Sequence, residues 1–169
     1  MIKGMNHVGI SVSNLDRALA FYRDVLGMHV IVDRAFSGEM YDAILGLKES
    51  HGRVAALSFG SLQVELFEFV SPQPRRGDPQ RPVCDHGITH FCLEVTEIER
   101  EYERLKAAGV RFHCPPQNSG KAIATYGRDP DDYRHAALLN HRRGDWAFSV
   151  ARRYLYETAD AVRLEALAR

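Results

Sequence analysis

A chain of 169 residues, 45% apolar and 26% charged, suits one globular domain or two small halves sharing a core. Lys and Arg number 22 against 22 Asp and Glu, which argues against a partner that needs a basic surplus, such as nucleic acid or an anionic membrane. No run approaches the roughly 18 apolar residues of a membrane helix, no basic-then-apolar leader opens the chain, and Cys84, Cys92 and Cys114 lack paired metal spacing, so the expectation is a reduced cytoplasmic protein.

Residues 5–12 alternate as a strand. Ser13 or Asn14 then caps a helix starting near Leu15, with Leu15, Leu19, Tyr22 and Leu26 at helical spacing and Gly27 as its stop. Residues 28–34 return as a strand, Ser37-Gly38-Glu39-Met40 reads as a turn, and 41–47 form a short helix or a covering loop. Strands at 54–59 and 62–70 flank Gly60-Ser61, a two-residue hairpin signal. Four prolines within residues 71–82 rule out a central element there, so 71–85 is expected to be an exposed linker between a first module (5–70) and a second (86–140).

The second module repeats the order: a strand at 89–95, a helix at 97–108, the stop Gly109, then strands at 110–113, 122–126 and 134–140. Asp129-Pro130-Asp131-Asp132 marks the last turn. Residues 145–169, Arg- and Ala-rich and free of Pro and Gly, read as a C-terminal helical extension following a domain of residues 1–144.

The two modules echo each other most clearly at their first strands. His7-Val8-Gly9-Ile10-Ser11-Val12 and His90-Phe91-Cys92-Leu93-Glu94-Val95 each place a His at the head, with apolar residues at alternate later positions. Val8, Ile10, Val12, Phe91, Leu93 and Val95 therefore share the helix-covered faces, and each His takes the other face. In 62–70, Gln63, Glu65, Phe67 and Phe69 also lie opposite the apolar face. The expected fold is α+β, with paired βαβββ modules forming a curled mixed sheet around a cleft that receives His7, Glu65 and His90.

Two imidazoles and a carboxylate at one place are a ligand set for Fe, Mn, Co, Ni or Zn, with positions left open for substrate oxygens. A lone strand His is more often a hydrogen-bonded structural residue. Two at equivalent places in a repeat, with a Glu of matching parity, favour the divalent metal; the alternative pairs Glu65 with an arginine in a polar cleft. Gln63, Phe67, Cys92 and Glu94 share cleft parity, and Tyr126 and Arg128 flank the last turn, making Gln63, Phe67, Cys92, Tyr126 and Arg128 the candidate substrate-binding residues.

His7…Phe21-Tyr22…Gly27, Val64-Glu65-Leu66-Phe67-Glu68-Phe69, Gly87-Ile88-Thr89-His90 and Tyr126-Gly127-Arg128-Asp129-Pro130-Asp131 resemble the vicinal oxygen chelate superfamily. That superfamily includes glyoxalase I, methylmalonyl-CoA epimerase, extradiol dioxygenases and bleomycin- or fosfomycin-resistance proteins. Residues 36–47 with the Glu-Leu-Phe-Glu-Phe strand look most like the branch of cyclitol epimerases. The resemblance implies metal ligands at His7, Glu65 and His90, with Glu65 as ligand or catalytic base. It also implies a fourth ligand, a Glu, at the position of Ala136, and alanine cannot ligate. That departure counts against an Fe(II) ring-cleaving dioxygenase. It favours an isomerase or epimerase that stabilises an enediolate, or a non-catalytic small-molecule binder of the resistance type. The implied protein is a homodimer acting on a small molecule, without nucleic-acid or membrane partners.

Overall fold

The computed structural model describes residues 1–60, 62–78, 82–132 and 136–141. The first unit runs β1 (His7–Ser11), α1 (Leu15–Leu19, continued by a π-helical turn over Ala20–Val25), β2 (His29–Ser37), α2 (Glu39–Leu45), β3 (His51–Phe59) and β4 (Leu62–Ser71). The second runs β5 (Phe91–Glu94), α3 (Ile98–Ala107), β6 (Arg111–Phe112), β7 (Gln117–Asn118), β8 (Ala122–Arg128) and β9 (Ala136–His141). The expected extension over 145–169 lies outside the described residues, as does His135.

Each unit folds into its own mixed sheet, in the orders β1-β4-β3-β2 and β5-β9-β8-β6, with β7 added alongside β8. In both, the first strand runs parallel to the last while the other pairs are antiparallel. The echo between His7 and His90 is thus a repeat of topology. The α+β architecture of paired modules is as expected, built as two curled sheets. Phe59 pairs with Leu62, so β3 passes into β4 across two residues, as anticipated for the hairpin.

Alternation decides which face each sheet buries. Ile10 from the first strand and Val12 just after it, Ala55 and Leu57 from β3, and Val64 and Leu66 from β4 cluster with Leu15, Leu19 and Tyr22 of the first helix and Leu26 at its end. Leu93, Ile98, Leu105, Val110 and Leu138 of the second unit belong to the same buried cluster, so the two halves share one core. Each fully buried leucine contributes about 1.5–3 kcal/mol, which makes this shared cluster the principal stabilising element.

The first helix begins where Asn14 Oδ1 accepts the Arg17 amide at 2.8 Å. A second cap comes from far along the chain, because the Leu15 amide donates to Glu68 Oε2 at 3.1 Å. Glu68 lies on the helix-covered face, as its parity requires, and serves one of the orphan amides of that helix end. Glu68→Ala is expected to destabilise the protein by about 1 kcal/mol, seen as a lower urea midpoint with an unchanged slope.

Three local features differ from the sequence reading. The uniform helix expected after Leu15 becomes π-helical at Ala20, with Leu26 N bonding Phe21 O at 3.0 Å. The strand expected at 28–34 continues to Ser37, and the uncertain segment after it forms α2, ended by Gly46 in the left-handed conformation (φ 65°). The linker is tied back to the second unit where Arg76 lies 3.5 Å from Asp132.

The Asp-Pro-Asp turn fastens the second unit to the first. Asp131 accepts from the Ser13 amide at 2.7 Å and the Ser13 hydroxyl at 2.5 Å, and it pairs with Arg17. Beneath it, the buried Tyr22 hydroxyl donates to buried Asp129 at 3.0 Å. Asp129 also accepts from the Asp131 amide at 3.0 Å, so one turn carries both cross-links.

Candidate active site

Parallel pairing of β1 with β4 sets His7 beside Gln63 and Gly9 beside Glu65. The His7 side chain reaches two residues along the neighbouring strand, and its Nε2 stands 3.3 Å from Glu65 Oε2. Its Nδ1–H donates to Asn6 Oδ1 at 2.9 Å, since an amide oxygen only accepts. With Nδ1 turned to Asn6, Nε2 is the ring nitrogen that faces the Glu65 carboxylate. The two groups are 43% and 31% exposed, open enough to meet a small molecule and to exchange with water.

Aromatic side chains flank this pair on the same face. Phe67 lies 3.8 Å from the point where a Cβ on Gly9 would stand, and its ring stacks on Phe69 with centroids 5.9 Å apart. Phe36 meets Phe67 edge-on at 5.9 Å, while α2 lays Tyr41 against Phe36 at 5.3 Å. The expected set Gln63, Glu65 and Phe67 is therefore together on one strand face with His7, against an aromatic flank.

The second unit holds its residues apart from these. Thr89 Oγ1 stands 2.9 Å from His90 Nδ1, and the His90 ring meets Tyr126 edge-on at 4.8 Å. His113 stacks on the same tyrosine at 6.3 Å. Each head-of-strand histidine is thus held by the residue before it, Asn6 in one unit and Thr89 in the other. That second-layer echo shows in the sequence only as a polar residue ahead of each His. His90, Cys92 and Arg128 line a cavity of about 820 Å³ between the edges of β1 and β5, along with Val8, Gly9 and Ile10. Arg128 also donates to the Asp132 carbonyl at 2.8 Å.

Among the described residues, no group of three or more His, Cys, Asp or Glu side chains comes close enough to hold a metal ion. His7 and Glu65 supply two donors at one point and His90 does not join them, so in this arrangement the described residues do not fit the three-donor set. Ala136, where the motif count puts a fourth ligand, pairs with Phe91 rather than with His90.

Cys92 has its thiol pKa raised, first by burial and then by the charge of Glu94. Fewer thiolates form at a given pH, so Cys92 is expected to alkylate with iodoacetamide more slowly than a free cysteine at pH 8. Peptide mass mapping over time checks this; a rate equal to the free amino acid would contradict it.

Two curled βαβββ sheets around a shared core, with a His-Glu pair at the head of the first strand, define a protein of the glyoxalase fold. The chain belongs to the Glyoxalase/Bleomycin resistance protein/Dioxygenase superfamily, whose profile matches residues 4–136. It is 30% identical over 118 residues to a 2-epi-5-epi-valiolone epimerase from Actinomyces sp, covering 67% of this chain and 63% of that protein. It is 31% identical over 108 residues to the mitochondrial methylmalonyl-CoA epimerase of Mus musculus, covering 63% of this chain and 54% of that one. The chain thus spans between half and two thirds of the length of these relatives.

Among solved structures, a glyoxalase family protein from Bacillus cereus superposes with a TM-score of 0.75 at 21% identity, covering 83% of this chain and 95% of its own. A fosfomycin resistance protein from Listeria monocytogenes, crystallised with Mn(II) and a dihydroxypropylphosphonic acid, superposes with a TM-score of 0.52 at 20% identity, covering 83% and 93%. At these identities the structures establish the fold. No helix among the described residues is long and apolar enough to cross a membrane.

Proposed function

We propose that this protein is an isomerase or epimerase that removes and returns a proton on the carbon beside a carbonyl group, with Glu65 as the base. The carrying observation is the 3.3 Å contact between His7 Nε2 and Glu65 Oε2, on an accessible strand face beside an aromatic flank. The two epimerases to which the chain is similar favour the same chemistry.

In the reacting state His7 carries both ring protons and Glu65 is ionised. A Glu65 oxygen takes the proton, the C–H electron pair moves into an enediolate or enolate, and the carbonyl oxygen becomes an oxyanion. The Gln63 amide, beside His7 in the β1–β4 register, offers a hydrogen-bond donor to that oxygen, and the nearby His7 imidazolium offsets its charge. Return of the Glu65 proton to the same face restores the centre; delivery of a proton from water to the opposite face inverts it, and the hydroxide left behind takes the proton held by Glu65. Because His7 is open to water, solvent hydrogen enters during this cycle.

Incubation in deuterated water with a branched malonyl thioester, and separately with a valiolone-type cyclitol ketone, tests this by proton NMR. Loss of the α-proton signal with one of them supports the proposal. Retention with both, under conditions where the protein stays folded, removes it.

A second, metal-dependent reading needs His90 to come to the His7–Glu65 pair. Metal content after purification without chelator, compared with His90→Ala, decides it: equal content in the two removes His90 as a ligand. The dioxygenase alternative is tested by oxygen uptake on catechols after anaerobic Fe(II) loading.

A further inference from the structure

The cavity between the edges of β1 and β5 is separate from the His7–Glu65 pair, yet it borders it. Neither His7 nor Glu65 lines it, whereas Gly9, the cross-strand partner of Glu65, does. Its walls are largely apolar, formed by Val8, Ile10, Leu62, Val83, Ile88 and Phe91. Ile88 and Val83 remain 76% and 47% exposed, so the cavity opens to solvent on their side. A volume of about 820 Å³ falls within the range of small-molecule sites, roughly 300–1,000 Å³, and an apolar lining with a few polar groups is their usual composition.

We propose that this cavity holds the apolar arm of the substrate, and that the arm's carbonyl head crosses the bare backbone of Gly9 to reach Glu65. This rests on the proton-transfer reading of Glu65 and narrows its substrate class to carbonyl compounds with an aliphatic arm, rather than small polyols. Three observations carry it. The walls offer aliphatic and aromatic surface, which a polyhydroxylated ring would leave with unpaired hydroxyls. Gly9 has no side chain at the one strand that separates the cavity from Glu65. A Cβ there would stand 3.8 Å from Phe67 Cε2, an ordinary contact, so packing does not demand glycine at this position.

Calorimetric titration with straight-chain carboxylates from butanoate to octanoate tests the cavity. Affinity is expected to rise roughly fourfold per added methylene, as each leaves water. In Cys92→Phe, where the new ring would occupy cavity space, octanoate affinity is expected to fall at least about tenfold. In the unaltered protein, octanoate is expected to slow alkylation of Cys92, a readout that survives if the variant fails to fold. Affinity flat across the series, or Cys92 left unprotected, overturns the site.

The crossing at Gly9 has its own test. Gly9→Val, with folding checked by circular dichroism, is expected to slow α-proton exchange on a chain-bearing substrate at least about tenfold. Unchanged exchange overturns the crossing. If the unaltered protein exchanges no substrate of any chain length, the Glu65 reading fails and takes the crossing with it. Chain-length-dependent carboxylate binding would in that case still assign the cavity.

Discussion

Glu65→Gln is expected to slow α-proton exchange by about 10³-fold while leaving the fold intact, since a positioned general base typically supplies 10²–10⁴. Glutamine keeps the shape of the side chain and can still hydrogen-bond His7, so the 3.3 Å contact need not collapse. What it loses is the ability to accept a proton from carbon. His7→Asn is expected to have a smaller effect on exchange, because the base remains and only the cation beside it and the oxyanion is lost. The measurement is the rate of deuterium entry by NMR, alongside circular dichroism to confirm folding. Equal rates in Glu65→Gln and the unaltered protein would move the base elsewhere.

The second large effect concerns stability. Asp131→Ala is expected to lower unfolding free energy by about 2–4 kcal/mol, because one carboxylate accepts from the Ser13 amide, the Ser13 hydroxyl and Arg17. Its side chain is only 10% exposed, so water replaces these bonds poorly. Asp24, in an exposed pair with its neighbour Arg23, makes the contrast: Asp24→Ala should shift the midpoint too little to measure. Similar losses at Asp24 and Asp131 would mean that the turn does not join the units.

Alkali is expected to loosen the same joint. Burial foremost, then the charge of Asp129, raises the Tyr22 phenol well above its ordinary 10.0. In the unfolded chain that phenol ionises near its ordinary value while the folded one stays neutral. The stabilisation is therefore complete below a pH of about 10 and is lost as pH rises beyond it. Tyr22→Phe should flatten that alkaline slope. An unaltered slope in the variant would assign it to other groups.

The succession of strands and helices, the glycine stops and the β3–β4 hairpin were legible because each rests on local residue chemistry. Gly27 and Gly109 adopt φ of 78° and 92°, conformations in which a side chain is strained. Parity also placed His7, Gln63, Glu65 and Phe67 on one face. It carries direction but not distance, so it could not tell whether His90, on a separate sheet, would meet them. The Asp131 and Asp129 bonds span more than a hundred residues of sequence and leave no periodic trace; the motif showed only a turn. Nor does a π-helical turn have a residue signature, since Leu15, Leu19, Tyr22 and Leu26 satisfy α-helical spacing as well.

That wide turn in the first helix has a consequence for how the chain tolerates length changes. A π-helical segment accommodates one residue more than the regular coil would, and it sits just where Tyr22 must reach across to Asp129. Deleting one residue from the wide turn would let the coil wind evenly and leave the residues after it facing nearly as they do now, because the surplus residue is what that turn absorbs. Removing a residue from the regular turn before it, Leu15–Leu19, would instead swing everything beyond by about 100°, carry the phenol away from its carboxylate and loosen one module's grip on the other.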